Sequence, residues 1–337
     1  MSRNQRREKL LELMDRLGLG AVLLRRPANF AWYTGGSDNR VDHSDPLGVA
    51  AVLVTAGTEY VVADNIEAPR MREEETPSLE VVEHPWHEEA APLYRELSDG
   101  APLAADFPLQ GARDVLEEIT PLRYVLDEEA VELYKRAGAE TSAAMEQAAA
   151  SLSAGTTEDE AAANLTSACR RRGLKTPVVL VAADERIASY RHPIPHGTPI
   201  RRRAMLVVCA EKDGLYVSLT RIVHLVEEPD EDFERRQVAC EEILHRMREE
   251  ATRTGHSLAD AFANCKRFYA EAGFPEEWRL HHQGGMAGYA AREVIATPKT
   301  RQAIEVGQAF AWNPSITGAK AEETFVLTED GPEVISP

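Results

Sequence analysis

The sequence predicts an α/β (α+β) chain in two parts, and three observations predict it. Strand-like and helix-like segments alternate over roughly the first 125 residues, as in an α/β layer. From Asp127 onward the composition shifts to long alanine-rich helices. Within that second part a stretch echoes itself: Gly155-Thr-Thr-Glu-Asp-Glu-Ala-Ala-Ala-Asn returns as Gly255-His-Ser-Leu-Ala-Asp-Ala-Phe-Ala-Asn, and Gly173 and Gly273 close the two copies. A period of this kind reads as a duplicated half, with a pocket expected at the seam. The chain has 337 residues, more than the ~250 to 300 at which single cores stop growing. Domains over 1–125 and 126–337 are therefore expected.

Composition narrows the function classes. A net charge of −18 with scattered basic residues argues against nucleic-acid binding, which needs clustered Lys and Arg. No run approaches the ~18 apolar residues of a membrane helix. The start carries charges between Leu10, Leu11, Leu13 and Met14, the pattern of an amphipathic helix and not of a signal peptide. Cys169, Cys209, Cys240 and Cys265 have no paired spacing, so reduced thiols in a cytoplasmic protein are expected.

Taken in order, 3–19 reads as a helix ended by Gly18 and Gly20, followed by the apolar strand Ala21-Val-Leu-Leu. A turn and short helix follow from Arg26, closed by Gly35 and Gly36. Residues 49–54, 59–63 and 79–83 read as strands, with a charged helix over Ile66 to Glu75 between them. Asp127 is a helix cap with glutamates in the first turn. Helices are expected over 128–152, 157–172, 230–252 and 257–272, and strands near 177–182 and 204–209. Thr157 and Ser257 are placed as caps in both copies.

The chemistry-bearing stretches are Trp278-Arg-Leu-His-His-Gln-Gly-Gly-Met-Ala-Gly-Tyr and Ala311-Trp-Asn-Pro-Ser-Ile-Thr-Gly-Ala-Lys-Ala-Glu-Glu-Thr. Adjacent histidines, glycines that let backbones approach, and a carboxylate pair are what a buried polar site is built from. Alternation along a strand sends one of His281 and His282, and one of Glu322 and Glu323, inward. His282 is the expected inward imidazole. An inward carboxylate needs a cation or a raised pKa, and Arg221 is the candidate structural partner. Asn313 keeps hydrogen bonding without charge, Trp312 could floor a pocket, and Cys209 could be a buried thiol or a nucleophile. Arg40 stands in a polar loop with Asp42, His43 and Asp45.

Several segments together resemble the pita-bread family, which holds creatinase, aminopeptidase P, prolidase and methionine aminopeptidase. Leu17-Gly-Leu-Gly-Ala-Val-Leu-Leu, Pro27-Ala-Asn-Phe and Tyr33-Thr-Gly-Gly are similar to its creatinase-type N-terminal α/β domain. Pro195-His-Gly-Thr-Pro, Gly214-Leu-Tyr-Val-Ser-Leu-Thr-Arg and Glu322-Glu-Thr-Phe-Val-Leu-Thr-Glu-Asp-Gly are similar to segments of its pseudo-twofold pita-bread domain. The resemblance implies two metal ions held by two Asp, one His and two Glu. Here those positions fall on Val207, Val208 or Cys209, on Ser218, on Gly285, on Asn313 and on Glu322, the one ligand retained. The expectation is therefore no metal and no cofactor. A relocated metal site from Glu323, His282 and Cys209 is the alternative.

The logic resembles creatinase: metal-independent hydrolysis, or a lytic step, at a C–N bond of a small amidino or amide compound. In that reading His196 is the acid/base, since an imidazole with a pKa of about 6.5 suits water activation. Glu322 anchors a cationic group with Asn313, and Arg221 and His282 orient the substrate. The resemblance also implies a homodimer in which Arg40 comes from the first domain of the partner subunit. An Xaa-Pro aminopeptidase or dipeptidase with an atypical metal site, and a catalytically silent binding protein, are the alternatives.

Overall fold

A computed structural model describes residues 3–226 and 230–337. The chain divides into two compact units, Met1–Ala130 and Val131–Pro337.

The first unit is a six-stranded sheet in the order Glu80–His84, Glu59–Asp64, Ala50–Thr55, Ala21–Leu24, Leu103–Ala105, Arg113–Asp114. Leu23, Leu53, Val62 and Ala105 face Tyr94 and Phe107 in its core. Helix Arg3–Leu17 buries Arg6, whose guanidinium meets Asp127 twice, at 2.7 and 2.9 Å. Asp127 also accepts from the Ala130 amide as a helix cap. The helix expected over 66–75 is shorter, Ala68–Arg70 followed by a π-turn over Met71–Glu75. Its start is displaced because the Asp64 carboxylate takes the Ile66 and Glu67 amides into a turn.

The second unit has a three-stranded sheet, Lys175–Ala183, Arg203–Lys212 and Leu215–His224. Asp213 and Gly214, both with positive φ (53° and 76°), make the two-residue hairpin between the last two, the backbone a tight hairpin turn demands. Leu206, Val208, Ala210 and Leu219 pack on helices Glu128–Ala150 and Glu158–Arg170 through Met145, Ala161 and Leu165. Met205 and Val207 face the other way, onto Leu180, Ala182 and Ile187. A five-stranded sheet orders Val294–Ile295, Gly284–Ala287, Ala309–Trp312, Glu323–Thr328 and Gly331–Val334. Helices Glu231–Arg246 and Leu258–Glu271 belong to this second half.

The internal echo is structural. Thr157 and Ser257 both close capping boxes, with Glu160 and Asp260. Thr157 bridges Pro199 and Ser257 bridges Ala303. The amides of Glu158 and Asp159 donate to the carbonyls of Thr198 and His196, and those of Leu258 and Ala259 donate to Gln302 and Thr300. The pseudo-twofold expectation thus extends to the straps that cross each helix start.

Candidate active site

The two halves of the second unit join where strand Leu215–His224 meets the start of strand Glu323–Thr328. The Ser218 amide donates to Thr324 Oγ1 at 2.9 Å, and that hydroxyl donates back to the Ser218 carbonyl at 3.0 Å. Two residues further on, Thr220 Oγ1 donates to Glu322 Oε2 at 2.7 Å. Lys320 Nζ reaches the same oxygen at 2.9 Å, while Arg292 Nη2 reaches Glu322 Oε1 at 3.1 Å. Arg292 also donates to Ser218 Oγ at 3.0 Å and to Asn313 Oδ1 at 3.4 Å. Burial pushes the Glu322 carboxyl up, but Lys320 and then Arg292 outweigh it and hold the group at about 2.

Three histidines stand beside this seam. Buried Gln283 anchors the adjacent pair: its Nε2 donates to the His281 carbonyl at 2.7 Å, and Tyr269 of helix Leu258–Glu271 donates to its Oε1 at 2.7 Å. The His281 and His192 Nε2 atoms lie 2.9 Å apart. Asn313 turns Oδ1 to Arg292, so Nδ2 faces His281 Nδ1 at 3.2 Å. His281 therefore carries its proton on Nε2 and donates it to His192. The His282 ring has no hydrogen-bond partner among the described residues and keeps an exposed edge. Desolvation, then the Lys320 charge, lowers His281 to about 3; desolvation, then Arg292, lowers His282 to about 4. His192 is lowered too, by desolvation and then Lys320. All three are neutral at pH 7.

These shifts fix a sign for acid stability. Each imidazole binds its proton less readily folded than unfolded, where the pKa is about 6.5. The unfolded chain therefore binds more protons in that window, and stability is complete above pH ~6.5 and falls as pH drops toward 4 and 3. The thermal midpoint is expected to decline over this range. The decline should be shallower in His281→Gln and His282→Gln; equal slopes would contradict the neutral, desolvated assignment.

The expected site residues divide. The structure brings Glu322, Asn313 and His282 into one neighbourhood and sets Cys209 across from Ser218, 3.6 Å from its hydroxyl. Burial raises the Cys209 thiol, so it stays protonated and is no nucleophile partner for His196. His196 has an exposed imidazole, and its main chain straps the start of helix Glu158–Arg170, the amide on Glu158 Oε2 at 3.0 Å. The residue that reaches His281 is His192, four positions earlier, because Pro193 and Pro195 hold the intervening chain extended. Arg221 follows Thr220 on a strand and so points the opposite way, to Glu146 at 3.2 Å and to the Pro337 carbonyl. It borders a cavity of about 450 Å³ that Thr220, Lys320, Glu322, Glu323 and Arg248 also line. Glu323 turns away from Glu322, as alternation predicts, and pairs with Arg248 at 2.6 Å. Trp312 is fully buried, its indole donating to Thr252 at 2.9 Å and its ring stacked on Phe310, so it packs and floors no pocket. Arg40 lies in the first unit, held by Asp38 at 2.8 Å. Arg292 and Lys320 are absent from the sequence expectation. Lys320 had a signal, two residues before Glu322 and so on the same face of an extended chain; Arg292 had none.

A carboxylate-bridged metal pair does not fit this donor set. Such ions need several carboxylates, and the seam offers Glu322, whose two oxygens already hold Arg292, Lys320 and Thr220. At Gly285 no side chain fits, since a Cβ there would stand 2.1 Å from the Val294 carbonyl oxygen. The relocated set of Glu323, His282 and Cys209 is not brought together either. The group of metal-capable donors found among the described residues is His192, His281 and His282, within 4.8 Å of one another. Of these, His281 has both ring nitrogens engaged.

Comparison with known proteins agrees with this architecture. Residues 6–108 match the creatinase/prolidase N-terminal domain and residues 132–329 match metallopeptidase family M24. Xaa-Pro dipeptidases of Pyrococcus horikoshii and Pyrococcus furiosus are 24% and 23% identical, each over 97% of this chain and over 95% and 96% of their own lengths. The crystal structure of the Pyrococcus horikoshii prolidase superposes with a TM-score of 0.82 at 18% identity, covering 99% of this chain and 98% of that one. With a pseudo-twofold second unit matched over most of its length, the chain belongs to metallopeptidase family M24, behind a creatinase/prolidase N-terminal domain.

Proposed function

We propose that the chain is a hydrolase of peptide-type C–N bonds in short peptides, of the Xaa-Pro dipeptidase kind. The observation that carries this is the likeness to two Xaa-Pro dipeptidases across 97% of the chain, both domains included. The creatinase-like expectation of an amidino substrate loses its anchor: Glu322, assigned to grip a guanidinium, already has both oxygens on Lys320, Arg292 and Thr220. In the peptidase reading His282 is the proton acceptor, because its ring lone pair is free while those of His281 and His192 are engaged. Being neutral down to about pH 4, it is ready to accept over the whole physiological range.

The test is hydrolysis of a panel of Xaa-Pro and other dipeptides, followed by release of the free amino acids. Turnover of at least one dipeptide is expected, with kcat/KM lowered on the order of 100-fold in His282→Gln. The acid limb of kcat/KM should lie below pH ~5 and not near the ordinary histidine value of about 6.5. The donor-set misfit favours a second reading, a cleft that binds without turnover. Absence of hydrolysis across the panel would select it, and an unimpaired His282→Gln enzyme would remove the base assignment alone.

A further inference from the structure

Two side-chain cations surround one carboxylate at the seam. Glu322, Lys320 and Arg292 are each nearly nine-tenths buried or more, at 6, 6 and 11% side-chain exposure. Their neighbours Ser218, Thr220 and Asn313 are uncharged, and the three imidazoles are neutral at pH 7. This bonded set therefore carries one net positive charge, inside a chain whose formal charge is −18. A buried charge without a counter-ion is expensive. It persists in sites whose ligand brings the missing charge.

An unsatisfied donor points the same way. Arg292 Nε is buried and has no partner among the described residues. An ammonium has three N–H donors, and among the described residues Lys320 Nζ pairs with Glu322. An orphaned buried donor on Arg292 calls for an acceptor, and an anionic oxygen satisfies both that donor and the charge. A divalent ion satisfies neither: it brings more positive charge to a set that already has an excess, and it has no lone pair for an N–H.

We propose that Lys320 and Arg292 act as fixed cations that hold a negatively charged ligand oxygen, in the place where the family's chemistry would put a metal pair. Applied to peptide hydrolysis, which rests on the reading above, they receive the oxyanion. Water loses a proton to His282 as its oxygen bonds to the carbonyl carbon. The C=O electron pair moves onto the oxygen facing Lys320 and Arg292. When that pair returns, the C–N bond breaks and the departing nitrogen takes the proton from His282. Water and amide are thereby converted to acid and amine with no other reactant. Electrostatic stabilisation of this kind works through groups fixed before reaction. The developing anion also raises the His282 pKa at the moment it must hold the proton.

The probe is a phosphinic dipeptide analogue, whose PO₂⁻ group is a tetrahedral anion, titrated calorimetrically into the full chain with EDTA present. Wild type is expected to bind it under EDTA, and elemental analysis to find no stoichiometric Mn, Co or Zn. Lys320→Met should bind at least about tenfold more weakly. Lys320→Arg should stay within about threefold of wild type, and the exposed control Lys299→Met should be unchanged. If Lys320→Met fails to fold, the wild-type arm still decides. The inference is overturned by wild-type binding that disappears under EDTA and returns with added metal, or by a tightly bound ion on His192, His281 and His282. It is equally overturned by Lys320→Met binding like wild type, or by no binding to wild type at all. Binding of the analogue without hydrolysis of any dipeptide sinks the peptidase reading and leaves this one standing.

Discussion

Gly285→His is expected to destabilise the second unit by about 4 kcal/mol or more, a size reserved for a few mechanisms such as severe overpacking and forced backbone geometry. Gly285 pairs with Ile295 on one side and Ala311 on the other. Its φ of +155° leaves the Cβ direction aimed at the strand beside it, 2.1 Å from the Val294 oxygen and 2.9 Å from the Ala296 nitrogen. Those are main-chain atoms, so no rotamer relieves the contact. Relief requires strand Val294–Ile295 to separate, which breaks the bonds from Glu293 to Met286 and from Ala296 to Gly284. For a protein of this size the thermal midpoint should fall on the order of 10 °C. Substitution by the family's metal-binding residue thus removes structure and restores no ligand. A Gly285→His protein with wild-type midpoint and new zinc binding would show that the strand can open and that the donor-set argument fails.

The same glycine marks what the sequence could and could not disclose. The duplicated second part was legible because its signals are local: a capping Thr157 or Ser257, an acidic partner three residues on, and glycines at 155, 173, 255 and 273 that all take positive φ. Strands Gly284–Ala287 and Ala309–Trp312 are buried at every residue, so they show no alternation, and short runs of that kind carry little periodic signal. At the site, Glu322, Asn313 and His282 could be found because they sit in or beside unusual local sequence. For His196 the sequence could not separate two uses, because a Pro-His-Gly turn looks the same whether its imidazole or its main chain is in use. Arg292 was invisible: its role depends on meeting Glu322 from 30 residues away, and nothing around it in sequence shows that. The charge of a site is a tertiary sum, and a motif gives only some of its addends.

That sum predicts a change of sign. In the wild-type protein Lys320 is attracted by Glu322 at 2.9 Å and repelled by Arg292, which holds the other carboxylate oxygen. Glu322→Gln leaves the two cations buried together with no counter-charge, and breaking a buried ionic set from the side of its only anion is expected to cost about 3 to 5 kcal/mol at pH 7. Lys320→Met alone should cost less, since Glu322 keeps Arg292 and Thr220. In the Glu322→Gln background, however, Lys320 feels only repulsion, so adding Lys320→Met should recover part of the loss. One substitution is thus destabilising in one background and stabilising in the other, which independent contributions cannot produce. Urea unfolding of the four proteins at pH 7 measures the cycle. Acid supplies a second check. The folded carboxyl at about 2 lies below the unfolded value near 4.5, so the stability it contributes is complete above pH ~4.5 and lost as pH falls toward 2. The gap between wild type and Glu322→Gln should therefore narrow across that window. Additive single effects, or a gap that does not depend on pH, would mean that Lys320 and Arg292 do not share Glu322 as their common anion.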